Sequence, residues 1–82
     1  MMSNQLTFSK LKKLLINLGF SEITIHKGSH IVFKNPSYDS IIVLPPFSPQ
    51  RLVSSRHLVA IKRILLENNI LDNNKVQQLF SV

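Results

Sequence analysis

The chemistry that this sequence can offer is concentrated in a short turn, Lys27-Gly28-Ser29-His30, which precedes an apolar stretch. Histidine titrates near neutrality, so it can accept or donate a proton at cellular pH. Cleavage of RNA needs such a group to remove the proton of a 2′-hydroxyl, and it needs cations that stabilise the charge on the phosphoryl oxygens. Lys27 and Lys34 flank His30 in sequence and could supply those cations. A turn followed by a half-exposed strand histidine without a chemical role explains the same residues.

Two arginines lie near the start of a predicted helix later in the chain. Arg51 and Arg56 flank this start, where free backbone N–H groups favour anions, so both are candidate contacts for a backbone phosphate. A solvated surface explains them nearly as well. His57 falls on the first turn of the same helix, at the margin of its apolar arc. We expect a structural role for His57, with a phosphate contact as the alternative.

The remaining composition argues against several classes of chemistry. The 82 residues include no cysteine and two glycines, so thiolate ligands and a phosphate-binding glycine loop are both missing. The four acidic residues are scattered and form no cluster with metal-ligand spacing. They are Glu22, Asp39, Glu67 and Asp72. We therefore expect neither a metal site nor a cofactor.

The charge of the chain indicates its class of partner. Ten Lys and Arg residues against four Asp and Glu residues give a net charge of +6. This excess favours nucleic acid first and a membrane surface second, although an acidic protein would also fit. No apolar run approaches the ~18 residues that cross a bilayer. The N-terminus lacks the features of a signal peptide, so we expect a cytoplasmic protein without membrane contacts.

Apolar periodicity predicts an α+β fold in a single domain, residues 1–82. The predicted elements are, in order, a helix over 8–18, strands over 20–27, 30–35 and 40–44, a helix over about 55–69 and a short helix over 73–80. Strands this close in sequence favour an antiparallel sheet, and two helices on one of its faces are the simplest packing. We expect a core over residues 7–70 and a C-terminal extension over 71–82.

Polar residues and a glycine at the predicted helix ends support these boundaries. Thr7 can cap the first helix, Ser54 or Ser55 the second, and Asp72 the last. Gly19 fits the left-handed position that follows the first helix. The helix starts and stops are therefore predicted from local chemistry alone.

The loop between the first two strands decides which sheet face His30 joins. If Lys27-Gly28-Ser29 is a three-residue loop, His26 faces His30, and the apolar residues share the core face. Those apolar residues are Ile23, Ile25, Ile31 and Phe33. We prefer this register because it groups apolar side chains and gives the glycine its left-handed position. A two-residue loop would instead place His30 with Ile23 and Ile25.

Several segments together resemble the HicA-type mRNA interferase toxins. These segments are Leu11-Lys12-Lys13-Leu14-Leu15, Leu18-Gly19-Phe20, Lys27-Gly28-Ser29-His30-Ile31-Val32-Phe33-Lys34-Asn35-Pro36 and the helix from Leu58 to Leu65. The specific part is the Gly-Ser-His followed by an aromatic residue, a basic residue and a proline. The resemblance covers roughly residues 8–70.

This resemblance implies a double-stranded-RNA-binding-domain-like fold, α-β-β-β-α. It also implies that His30 is the catalytic residue of a ribonuclease acting on mRNA, and that the chain is the toxin of a toxin–antitoxin pair. The partner would be a HicB-type antitoxin covering the site. Members of this family are bacterial or archaeal and cytoplasmic.

The third strand, Ile41-Ile42-Val43-Leu44, is apolar on both faces. Something is therefore expected to cover its second face: a homodimer mate, the antitoxin or the C-terminal extension. The extension could also pack over a weak apolar stripe, Val59 and Leu66, on the second long helix.

The leading hypothesis is thus a metal-independent endoribonuclease in which His30 is the general acid/base and Gly28 and Ser29 shape the turn. The expected RNA contacts are Lys27, Ser29, Lys34, Arg51 and Arg56. A non-catalytic RNA-binding module of the same fold is the first alternative. A protein-interaction module whose basic face meets an acidic partner is the second.

Overall fold

The computed structural model of the chain describes residues 6–24 and 30–80. Its elements are α1 (Phe8–Asn17), β1 (Ser21–Thr24), β2 (Ile31–Asn35), β3 (Ser40–Leu44), α2 (Ser55–Glu67) and α3 (Asn73–Phe80). The strands form one antiparallel sheet in the order β1-β2-β3. The predicted α+β order is confirmed, and it is consistent with the double-stranded-RNA-binding-like fold.

The helix ends follow the local chemistry of the sequence. The Thr7 side chain accepts a hydrogen bond from the backbone N–H of Lys10 at 3.3 Å, which satisfies one of the free donors of α1. Gly19 follows α1 with φ +102°, a conformation that side chains with a Cβ rarely adopt. Asp72 Oδ1 accepts from the backbone N–H of Lys75 at 2.8 Å and caps α3. All three predicted roles are confirmed.

The core lies between the sheet and the helices on one of its faces. The side chains buried most completely come from α1, β2, β3 and α2. They include Phe8, Leu11, Leu15, Phe33, Ile42, Leu44, Ile61 and Leu65. Each such aliphatic or aromatic side chain contributes on the order of 1.5–3 kcal/mol by leaving water. This packing holds the sheet and both long helices in fixed relative positions.

The register of β1 differs from the preferred prediction. Ile23 pairs with Val32 and Glu22 with Phe33, so Ile23 lies on the face opposite Phe33. The prediction that both belong to the core face is wrong, and the observed pairing is the one expected from a two-residue loop. Phe20 explains this register. Its side chain is buried just before β1, so the even-numbered residues of β1 face the core and Ile23 faces away from it. The proposed pairing of His26 with His30, and Ile25, lie outside the described residues.

The second face of the sheet carries branched aliphatic side chains that remain in contact with solvent. Ile23 is 40% exposed, Ile41 52% and Val43 54%. Val32, half-buried, and Lys34, exposed, lie between them on the central strand. We call these five residues the open sheet face.

Helix α3 packs on the helical side of the molecule, against α2. Val76 and Phe80 enter the core, and the Lys62 Nζ lies 6.0 Å from the centroid of the Phe80 ring. The expectation that this extension covers both residues of the α2 stripe is wrong for Val59, which stays 53% exposed, while Leu66 is half-buried. The described part of the extension therefore leaves the open sheet face uncovered.

Candidate functional site

His30 is exposed and lies immediately before β2. The first residue of β2, Ile31, pairs with Leu44, the last residue of β3. His30 and Pro45 therefore leave the sheet at the same end, where the connection to α2 begins. An imidazole in this place is accessible to a large substrate and is anchored by a strand whose next residues are fixed in the sheet.

The turn that precedes His30 was predicted to include Lys27, Gly28 and Ser29. These three residues lie outside the described part of the chain. The roles of Lys27 and Ser29 as RNA contacts, and the turn-forming role of Gly28, stay predictions.

Lys34 is exposed and lies on the same face of β2 as Val32. At ~3.3 Å per residue, its Cα lies about 13 Å along the strand from that of His30. This separation exceeds the size of one phosphate group. Lys34 and His30 therefore lie toward opposite ends of β2.

Arg51 and Arg56 lie on the connection between β3 and α2 and on the first turn of α2, and both are exposed. The backbone at Arg51 is held in place, because its carbonyl accepts a 2.9 Å hydrogen bond from the N–H of Phe8 at the start of α1. Its guanidinium carbon lies 5.5 Å from the centroid of the Phe47 ring. The connection thus offers one cation, Arg51, on a backbone fixed to α1.

His57 is part of a small cluster that the sequence analysis identified only in part. Its Nδ1 lies 2.8 Å from the Oγ of Ser54, and its backbone N–H donates to the same oxygen at 3.5 Å. Ser54 is therefore the cap of α2, out of the two predicted candidates. The centroid of the His57 ring lies 5.4 Å from that of Phe47, which in turn contacts Phe8 edge-on at 5.6 Å.

This geometry gives His57 a structural role as expected, since it closes the first turn of α2 and packs on an aromatic ring. The importance of Phe47 was missed, because an aromatic residue after two prolines has no periodic pattern around it. The contact between Ser54 and His57, by contrast, could have been found in the sequence. The two residues have the three-residue spacing at which an N-cap and a polar N3 side chain meet.

Metal ligands do not assemble among the described residues, where no three His, Asp or Glu side chains come together in a way that could hold an ion.

Ion pairs are also few among the described residues. Lys12 Nζ lies 3.4 Å from Glu22 Oε1 and joins α1 to β1. Over the described chain, no helix combines the length and apolar character needed to cross a membrane.

Comparison with known proteins adds one finding. The family model described as HicA toxin of bacterial toxin-antitoxin matches residues 8–65, which run from the first residue of α1 almost to the end of α2. Neither the curated proteins nor the solved structures that were compared with the chain gave a match. The matched segment contains His30, Lys34, Arg51 and Arg56, and it excludes α3. Because it spans most of the 82 residues, the chain belongs to the HicA toxin family of bacterial toxin–antitoxin systems.

Proposed function

We propose that this toxin is a metal-independent endoribonuclease that cleaves mRNA and uses His30 as its general acid/base. The observation that carries the proposal is the position of His30, an exposed imidazole just before the central strand. A histidine packed inside the core would have no access to a nucleotide. Family membership supports the toxin role, and the net charge of +6 suits a polyanionic substrate.

The reaction needs few groups. The neutral imidazole of His30 takes the proton of a ribose 2′-hydroxyl, and the 2′-oxygen forms a bond to the adjacent phosphorus. The bond from phosphorus to the 5′-oxygen breaks, and that oxygen takes a proton from a water molecule, which the imidazolium of His30 reprotonates; the imidazole is thereby neutral again. The products are a 2′,3′-cyclic phosphate and a 5′-hydroxyl. DNA lacks the nucleophile, so it is not cleaved.

Cations near the cleavage site would stabilise the charge that develops on the phosphoryl oxygens. Lys27, Ser29, Arg51 and Arg56 are proposed to contact the strand near His30. Lys34 is proposed to bind a phosphate farther along, because it lies at the other end of β2. The backbone of Arg51 is held by a hydrogen bond from the N–H of Phe8 in α1, which limits how far this cation can move.

The first test of this proposal is carried out in cells. Induction of the wild-type chain is expected to arrest growth and to deplete mRNA, and His30→Ala is expected to do neither at equal protein level. His57→Gln is the matched control, because it removes the other described histidine from a structural position and should leave toxicity intact.

Growth arrest that persists in His30→Ala cells would contradict the catalytic assignment. If the purified wild-type chain binds RNA in a salt-dependent way without cutting it, the chain is a non-catalytic RNA-binding module of the same fold. Negligible RNA affinity at physiological salt would leave only the protein-interaction role.

A further inference from the structure

The aromatic rings of the chain are groups on which the bases of a single-stranded RNA could stack, because such strands are held by planar side chains as well as by cations. The sequence contains five Phe and one Tyr. Four of these six rings are buried in the core, namely Phe8, Phe20, Phe33 and Phe80. Tyr38 is exposed, but it lies on the turn between β2 and β3, at the end of the sheet away from His30. The remaining ring is that of Phe47, which is half-buried.

Phe47 lies at the same end of the sheet as His30. The last pair of the β2–β3 ladder is Ile31 with Leu44, and Phe47 follows Leu44 by three residues. With ~3.6 Å as the longest advance per residue, the Cα of Phe47 lies within about 11 Å of that of Leu44. The chain also turns back here, because the N–H of Phe47 donates to the carbonyl of Pro45 at 2.9 Å. The ring therefore stays near the sheet end at which His30 enters β2.

The position of α1 supports this placement independently. Three residues, 18–20, join α1 to β1, and the two elements contact each other, so they run as antiparallel neighbours. The end of β1, Thr24, pairs with Ile31, so the start of α1 lies toward the end of the sheet where His30 enters. Phe8 is the first residue of α1, and the centroid of its ring lies 5.6 Å from that of Phe47. Two separate connections thus bring Phe47 to this end.

The side chain that lies over the Phe47 ring is that of Arg51. Its guanidinium carbon is 5.5 Å from the ring centroid, within the ~6 Å at which a cation and an aromatic face attract each other. The backbone N–H of Arg51 donates to the carbonyl of Ser48 at 3.0 Å, and its carbonyl accepts from the N–H of Phe8 at 2.9 Å. The rings of Phe8 and His57 meet Phe47 at 68° and 83°, so neither lies flat on it. The exposed guanidinium is therefore the planar group that this ring supports.

We propose that Arg51, supported by the Phe47 ring, is the stacking surface for one base of the RNA close to the phosphate that is cleaved. The inference rests on the proposed function of His30, because it states how the substrate of that site is held. The base lies on the outer face of the guanidinium, while the N–H groups at its edge stay free for a phosphate oxygen. A purine covers more of this planar group than a pyrimidine does, so a purine is preferred at this position. Arg51 is thus a specificity residue as well as a cation.

Exchange of arginine for lysine separates stacking from simple attraction of phosphates. Both side chains carry one positive charge, but the ammonium group of lysine has no planar face on which a base can stack. Arg51→Lys also leaves the hydrogen bonds of residue 51 in place, because both are made by its backbone. Arg63→Lys makes the same chemical change at another exposed arginine, on α2, which the proposal does not use, and it is the matched control.

Both substitutions are introduced into a His30→Ala chain, so that the RNA stays intact, and binding is measured by fluorescence anisotropy. The probes are an oligoadenylate and an oligouridylate of equal length, each with a terminal dye. The His30→Ala chain is expected to bind the oligoadenylate at least about threefold more tightly. Arg51→Lys is expected to weaken oligoadenylate binding by at least about fivefold and to remove this preference, with an unchanged salt slope. Arg63→Lys is expected to change neither affinity by more than about twofold. Circular dichroism checks that both variants are folded.

Three results would overturn the inference. Equal affinities of Arg51→Lys and the His30→Ala chain for both probes would make Arg51 a charge alone. A lower melting temperature of Arg51→Lys with unchanged RNA affinity would make its contact with Phe47 purely structural. An equal loss of affinity in Arg63→Lys would show that the effect is not specific to the Phe47 ring. Binding is measured without cleavage, so the two proposals fail separately. A wild-type chain that binds with the purine preference but does not cut contradicts only the ribonuclease, and one that cuts while Arg51→Lys binds normally contradicts only the stacking.

Discussion

Replacement of Phe80 by alanine tests whether the C-terminal helix belongs to the folded core. This residue lies beyond the segment 8–65 that matches the family model, yet its side chain is only 3% exposed and packs in the same cluster as Leu58 and Ile61. Truncation of a buried Phe to Ala costs on the order of 3–5 kcal/mol, from lost burial and from the cavity that remains. Leu79, 37% exposed on the same helix, is the matched control.

The loss expected in Phe80→Ala is large compared with the total stability. A domain of this size has an unfolding free energy of about 4–12 kcal/mol. The variant should therefore be marginally folded, with a melting temperature lowered by at least ~12 °C. Leu79→Ala should lose less than about 1 kcal/mol, because much of its side chain is already in water.

Urea unfolding followed by far-ultraviolet circular dichroism measures both variants. If Phe80→Ala and Leu79→Ala unfold at the same urea concentration, then α3 is not part of the cooperative core and the packing described here is wrong. A similar melting temperature for the wild-type chain and a chain ending at Leu71 would contradict it equally, because Val76 and Phe80 would both be missing.

Other substitutions test single features of the fold and site. Gly19→Ala should cost about 1–2 kcal/mol in urea unfolding, because φ is +102° there and a Cβ would lie 3.3 Å from the Nδ2 of Asn35; unchanged stability would refute the strain. Ser54→Ala should cost about 1 kcal/mol through loss of the α2 cap, and an effect below the error of the measurement would contradict that role. Arg51→Ala and Arg56→Ala should each weaken RNA binding at 100 mM salt and reduce the salt slope by about one; a slope equal to that of the wild type would remove that arginine from the phosphate contacts.

The parts of the fold that depend on nearby residues could be predicted from the sequence. Thr7 and Asp72 cap their helices through backbone groups three residues away, and Gly19 terminates α1 through its own φ. These interactions are encoded within one helical turn. The element order followed from them and from apolar spacing.

The register of β1 could not be predicted in the same way. It depends on Phe20, whose side chain enters a core made by distant segments, and on Glu22, which pairs with Lys12 of α1. The alternation of 20–27 and the preference for grouping Ile23 with Ile31 and Phe33 assigned Ile23 to the core face, and neither takes account of the burial of Phe20. A register is a property of the packed sheet, so a four-residue edge strand specifies it weakly.

In the candidate site, too, features set by nearby residues could be predicted and features set by distant contacts could not. A turn sequence followed by a strand predicted that His30 is exposed, and in the structure His30 is exposed just before β2. The aromatic contacts of Phe47 with Phe8 and His57 join segments that are far apart in sequence. No local pattern indicates such contacts before the chain is folded.

The most direct test of the central claim is cleavage of a defined RNA by the purified chain in the presence of EDTA. Wild type is expected to give a 2′,3′-cyclic phosphate and a 5′-hydroxyl, and to leave intact a strand with a single 2′-deoxy substitution at the cleaved nucleotide. His30→Ala is expected to lower the rate by about 10²–10⁴-fold, whereas His57→Gln should cleave like wild type. Cleavage that EDTA abolishes, or that His30→Ala retains at the wild-type rate, would contradict the account.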